Sequence, residues 1–87
     1  MNIVVIESGF VYIGMARKVD HELLGSCIVL DDASNIRRWG TDKGLGQLAY
    51  EGKQPNTVLD YTGTVTIPTA KILHFISVSE KAAQTYV

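Results

Sequence analysis

Phe10-Val11-Tyr12-Ile13-Gly14-Met15-Ala16-Arg17-Lys18-Val19 is the stretch on which the fold turns. Its first four residues are aromatic or apolar, the composition of a half-buried strand. Gly14 either ends that strand or bends it, and the mixed run Met15 to Val19 would continue it across the glycine, which permits the bend. Working outward, residues 2–6 (Asn2-Ile3-Val4-Val5-Ile6) form a β-branched strand, and Glu7-Ser8-Gly9 supplies turn chemistry. On the other side a turn is expected around Asp20-His21-Glu22. Leu23-Leu24-Gly25 then leads into a central strand, Ser26-Cys27-Ile28-Val29-Leu30, expected to stop at Asp31-Asp32.

Further along, Leu45, Leu48 and Ala49 fall at i, i+3 and i+4 inside residues 44–52 and predict a short helix stopped by Gly52. Thr57-Val58-Leu59 reads as a short strand and Tyr61-Thr62-Gly63 as a turn. Thr64-Val65-Thr66-Ile67 alternates strictly and meets Pro68, an edge or end signal. Residues 71–78 make the last strand. Ser79 is placed to cap a short tail helix over 80–86. Five or six short strands with a glycine bend predict a mainly β fold: a small, strongly bent barrel with a helical insertion and a C-terminal helix.

The 87 residues suffice for one domain, 1–87, and leave little interior for a chain that is 46% hydrophobic. Burial of part of that apolar surface against a second copy is therefore expected, so the chain reads as a homo-oligomer. Eight basic and nine acidic side chains give a net charge of −1, which disfavours non-specific binding to duplex nucleic acid. The single cysteine, Cys27, lies in an apolar run, reads as a small buried hydrophobe and fits a reducing compartment. The apolar opening is broken by Glu7, short of a signal-peptide core or a membrane span, so a cytosolic protein without membrane contact is expected.

Chemistry concentrates in Asn35-Ile36-Arg37-Arg38-Trp39-Gly40-Thr41-Asp42-Lys43-Gly44-Leu45-Gly46. Arg37, Arg38 and Lys43 bring three of the eight cations into seven residues. Guanidinium groups fork onto phosphate or carboxylate, and Trp39 offers a flat face for a base. Thr41 and the backbone at Gly44 and Gly46 could donate to an anion at a helix start. These seven residues are the candidate ligand site, suited to a nucleotide-like or other anionic small molecule, or to a host protein. The competing reading makes Trp39 a core anchor and pairs the arginines with Asp31, Asp32 and Asp42. No phosphate-loop ending follows Gly44-Leu45-Gly46. His21 and His74 are isolated, His74 being expected to face solvent or a subunit contact. No metal set, cofactor site or nucleophile–base pair can be assembled, so a non-enzymatic binding protein is expected.

Two resemblances add to this. Gly9-Phe-Val-Tyr-Ile-Gly14, then Asp20, then Leu30-Asp31-Asp32-Ala33 resembles the first motif of the Sm-like family, and Val65-Thr-Ile67 with Ile72 resembles its second. The resemblance implies a five-stranded bent barrel that assembles edge to edge into rings and commonly binds RNA. The chain departs from it where RNA is read. His21-Glu22 stands where the asparagine after the aspartate is expected, and Pro68-Thr69 replaces Arg-Gly. An RNA-binding Sm-like ring is thus the third reading. The stretch Ala33 to Ala49, with Thr57-Val-Leu-Asp60 and Gly63-Thr-Val65, is similar to small uncharacterised proteins of tailed bacteriophages. That similarity implies a phage protein in the host cytosol, acting in anti-defence or host takeover, or else a structural or assembly component of the particle.

Overall fold

The computed structural model describes all 87 residues. Five strands, β1 (Asn2–Ile6), β2 (Val11–His21), β3 (Gly25–Arg38), β4 (Val58–Pro68) and β5 (Ile72–Ser77), form one antiparallel sheet in the order β4-β3-β2-β1-β5. Helix α1 (Leu45–Tyr50) follows β3, and α2 (Glu80–Ala83) with a final 3₁₀ turn (Gln84–Tyr86) closes the chain. The expected mainly β class, the strand bent at Gly14, the inserted helix and the tail helix are all present. Ser79 caps α2 by accepting the Ala82 amide at 3.1 Å.

Two expected turns are not turns. Asp31-Asp32 does not end β3, and Tyr61-Thr62-Gly63 does not end β4; both are bulges inside long strands. Leu30 pairs with Val65 and Ala33 with Gly63, leaving Asp31 and Asp32 against a single residue of β4. Asp32 takes the left-handed conformation there, at φ 49°. Ala33 then pairs with Gly63 and Ser34 with Tyr61, which pushes Thr62 out of register. In β2 the register also shifts between Ile13 and Met15, beside Gly14. A Cβ on Gly14 would stand 3.1 Å from the Ala33 Cα and 3.2 Å from its Cβ. The sheet therefore creases along Gly14, Ala33 and Gly63, where small residues and extra residues let three strands bend together.

The crease gives two cores. On one face Ile3, Val11, Ile13 and Ile36 pack against Leu48 and Ala49 of α1, with Leu59, Ile76 and Tyr86 at the margin. On the other, Val4, Leu30, Ala33 and Ile67 meet, with Ile6, Ile28, Val65 and Ile72 around them. Fully buried Ile3, Leu30 and Leu48 each contribute about 1.5–3 kcal/mol. Threonines 64 and 66 face out while Val65 and Ile67 face in, following the alternation of that strand.

β4 and β5 are opposite edges of the sheet, yet only the 3₁₀ turn Thr69–Lys71 joins them. A flat five-strand sheet would hold its edges about 19 Å apart, four steps of about 4.8 Å. A three-residue 3₁₀ turn rises about 6 Å. The sheet must curl until its edges approach at that end. No ladder joins β4 to β5, so the strands form one curled open sheet and not a closed barrel. Pro68, the last residue of β4, has no amide to offer such a ladder.

Candidate functional site

The 37–46 segment runs from the last turn of β3 into the start of α1. Arg37 lies in β3 across from β4, and its guanidinium holds Asp60 through two contacts of 2.8 and 3.4 Å. Asp60, twenty-three residues away, is its partner; Asp31 and Asp32 are not. Asp31 instead takes Arg17 at 2.7 Å, and hydrogen bonding from that guanidinium holds the Asp31 carboxyl below its ordinary range. Asp32 accepts from the Tyr61 hydroxyl at 3.3 Å. Lys43 reaches Glu51 at 3.3 Å, and not Asp42. The expected pairing of Arg37 and Arg38 with Asp31, Asp32 and Asp42 does not form: Arg37 takes Asp60 of β4, which the cross-strand register sets opposite Asn35, two residues away on the same face.

Arg38 is different. It is exposed, sits at a register shift opposite Val58, and has no carboxylate within 4 Å. Next to it, Trp39 is 41% exposed and absent from both cores, so it is not a core anchor. The backbone under the indole is tied at two points. The buried Thr57 hydroxyl donates to the Trp39 carbonyl at 2.7 Å. Gly40 is left-handed at φ 66°, with the Asn56 carbonyl carbon only 2.3 Å from where a Cβ would stand. No side chain fits there.

The loop into α1 is held by a residue outside the expected set. Gln47 Oε1 accepts from the Asp42 and Lys43 amides, both at 3.0 Å. Gln47 is three residues after the cap residue Gly44, the position from which a glutamine side chain reaches back over a helix start. The amides just before the helix are thereby satisfied by the protein itself. Gly44, at φ 83°, and Gly46 face open space, and Thr41 is half-buried. At its far end α1 stops as expected: the Gly52 amide bonds the Gln47 carbonyl at 3.2 Å.

Structure thus exposes Arg38 and Trp39 side by side, leaves Thr41 half-buried, engages Arg37 and Lys43 in ion pairs, and leaves Gly44 and Gly46 at the helix start. Gln47, Thr57 and Asp60 were missed by the sequence reading, and only Gln47 carried a local signal. Two shallow clefts exist elsewhere. One of about 430 Å³ is lined by Tyr50, Glu51, Gln54, Ser79 and Lys81, the other of about 360 Å³ by Ile6, Glu7, Ser8 and Lys71. Neither includes a residue of the 37–46 segment. No three His, Cys, Asp or Glu side chains converge, Cys27 is fully buried, and His74 is exposed on β5. No helix is long and apolar enough to cross a membrane. Compared with known protein families, curated proteins and solved structures, the chain finds no match.

Proposed function

We propose that this chain is a non-enzymatic binding protein that works as an oligomer and holds a nucleotide-like or other anionic ligand through Arg38 and Trp39. The observation that carries this reading is the unpaired guanidinium of Arg38 beside a half-exposed indole whose backbone Thr57 and Gly40 fix. A free guanidinium accepts phosphate or carboxylate in a bidentate fork, and an indole face stacks on a base. The backbone that carries the indole is set before the ligand arrives, which lowers the ordering cost of that half of the site, while the unpaired Arg38 side chain is ordered by the ligand. Small-molecule sites enclose most of their ligand. The segment lies outside both clefts, so a second copy completes the enclosure, and ligand binding and assembly belong together. The curled sheet serves as a small Sm/SH3-like scaffold for this surface. In the phage setting that residues 33–49 resemble, holding such a ligand in the host cytosol would withdraw it from a host pathway.

The test is native mass spectrometry of the purified protein, followed by titration with a panel of nucleoside phosphates. An oligomer carrying a releasable extra mass supports the reading. Arg38→Ala loses that mass and keeps the oligomer, whereas Arg37→Ala, whose guanidinium already holds Asp60, retains most of the binding. An oligomer that carries no mass and takes up none of the panel refutes the ligand.

A further inference from the structure

Helix α1 is too short and too poorly capped to hold itself. Its six residues include Gly46, and its cap residue Gly44 has no side chain to offer. It has no acidic residue in its first turn and no basic one in its last, so no charge complements its dipole. Helices of this length are marginal in water. The last four carbonyls of a helix have no partner within it. In α1 the Glu51 and Gly52 amides take the Gln47 carbonyl, at 2.8 and 3.2 Å. The other three carbonyls go to the end of the chain. The Tyr86 hydroxyl donates to the Leu48 carbonyl at 2.7 Å, the Ser79 amide to that of Ala49 at 2.9 Å, and the Ser79 hydroxyl to that of Tyr50 at 3.1 Å.

The same tail closes the turn after the helix. Thr85 Oγ1 accepts from the Lys53 amide at 2.8 Å and stands 2.6 Å from where a Cβ on Gly52 would be. Ala82 is fully buried, and Tyr86 packs at the margin of the core that α1 covers. We propose that residues 79–86 are a strap: α1 and the tail open together as one unit while the five-stranded sheet stays paired. At its other end α1 presents Gln47, whose side chain holds the Asp42 and Lys43 amides. Releasing the strap therefore frees the loop that leads out of the Arg38–Trp39 surface. The device does not depend on what Arg38 and Trp39 hold.

Mutual support makes the two pieces one unit. The tail is itself only four residues of α-helix and three of 3₁₀. Each piece takes hydrogen-bond partners from the other, so neither persists when the other leaves. The strands need neither for their ladders. β3 pairs along its length with β2 and β4, and the core of Val4, Leu30, Ala33 and Ile67 has no member in α1 or the tail. Opening does uncover Ile3, Val11, Ile13 and Ile36, and that apolar face favours the closed state. A segment with few partners of its own, resting on a well-paired sheet, belongs to the low-stability end of local opening.

Native-state amide hydrogen exchange tests the strap. The amides of Asp42, Lys43, Glu51 and Gly52 report on the unit, because each bonds Gln47 and none bonds the tail. Thr85→Val and Tyr86→Phe, combined in the full chain, are expected to speed exchange at all four by about tenfold. Ile67→Val, in the other core, is expected to speed exchange in the β3–β4 ladder and leave the four reporters unchanged, because they exchange through an opening in which the sheet persists. Equal acceleration of ladder and reporters by Ile67→Val means one cooperative fold and overturns the strap. A combined tail variant whose four reporters keep their wild-type rates overturns it too, as does one whose sheet is lost by far-ultraviolet circular dichroism.

Discussion

The Thr57 hydroxyl donates to the Trp39 carbonyl at 2.7 Å and thereby ties the start of β4 to the end of β3. The same oxygen accepts from the Gln54 amide at 2.9 Å. Thr57 is the buried polar residue of the fold, and its hydroxyl is fully used. Thr57→Val keeps the shape and strands a donor and an acceptor. A loss of about 1–3 kcal/mol is expected, read from urea unfolding. Thr57→Ser, which keeps the hydroxyl, is expected to lose less.

Two glycines of the candidate segment should respond in opposite ways. Gly40→Ala forces a Cβ into the Asn56–Thr57 backbone at a left-handed φ, so a loss of at least about 2 kcal/mol is expected in thermal unfolding. Gly46→Ala meets open space inside α1 and should gain up to about 1 kcal/mol from helix propensity. A neutral Gly40→Ala would show that the 39–41 backbone is not held as described.

Gln47→Ala removes the acceptor shared by the Asp42 and Lys43 amides. The expected cost is about 0.5–2 kcal/mol, the range of a lost helix cap. Amide hydrogen exchange should rise at Asp42 and Lys43 and stay unchanged in β1.

Tyr86 gives the fold an alkaline limit. Its hydroxyl donates to the Leu48 carbonyl at 2.7 Å, and burial pushes its pKa from 10.0 up to about 12. The folded state thus holds this proton more tightly than the unfolded chain does. The contribution is complete below pH 10 and is lost progressively as pH rises toward 12. Tyr86→Phe should cost about 0.5–1.5 kcal/mol at neutral pH and show a weaker fall in stability between those values. An identical alkaline fall in both proteins would contradict the assignment.

At the acid end, Asp31 is held below the ordinary carboxylate range by Arg17. Its contribution is present above the unfolded carboxyl pKa and disappears as pH falls through the lower folded value. Both side chains are exposed, so the effect is small and screened by salt. Asp31→Asn is expected to remove it, as seen in acid unfolding at low ionic strength.

Local chemistry made much of this fold legible. Alternation in Thr64-Val65-Thr66-Ile67 announced which side faces in, and the Leu45, Leu48, Ala49 spacing announced α1. Gly14 marked the bend, and Ser79 marked a cap. Each signal lies within a few residues of what it specifies, because side-chain period and capping are local physics.

What the sequence by itself determined, then, is the kind and place of most elements, and the clustering of Arg37, Arg38, Trp39 and Lys43. Tertiary structure alone decided that Asp31-Asp32 and Tyr61-Thr62-Gly63 are facing bulges in unbroken strands. It also decided that Asp60 engages Arg37 while Arg38 stays free, that Trp39 lies outside both cores, and that β5 is an open edge. The reason is register. A strand's partner is chosen by hydrogen bonding and burial between segments far apart in the chain, and a shift of one residue moves every side chain to the other face.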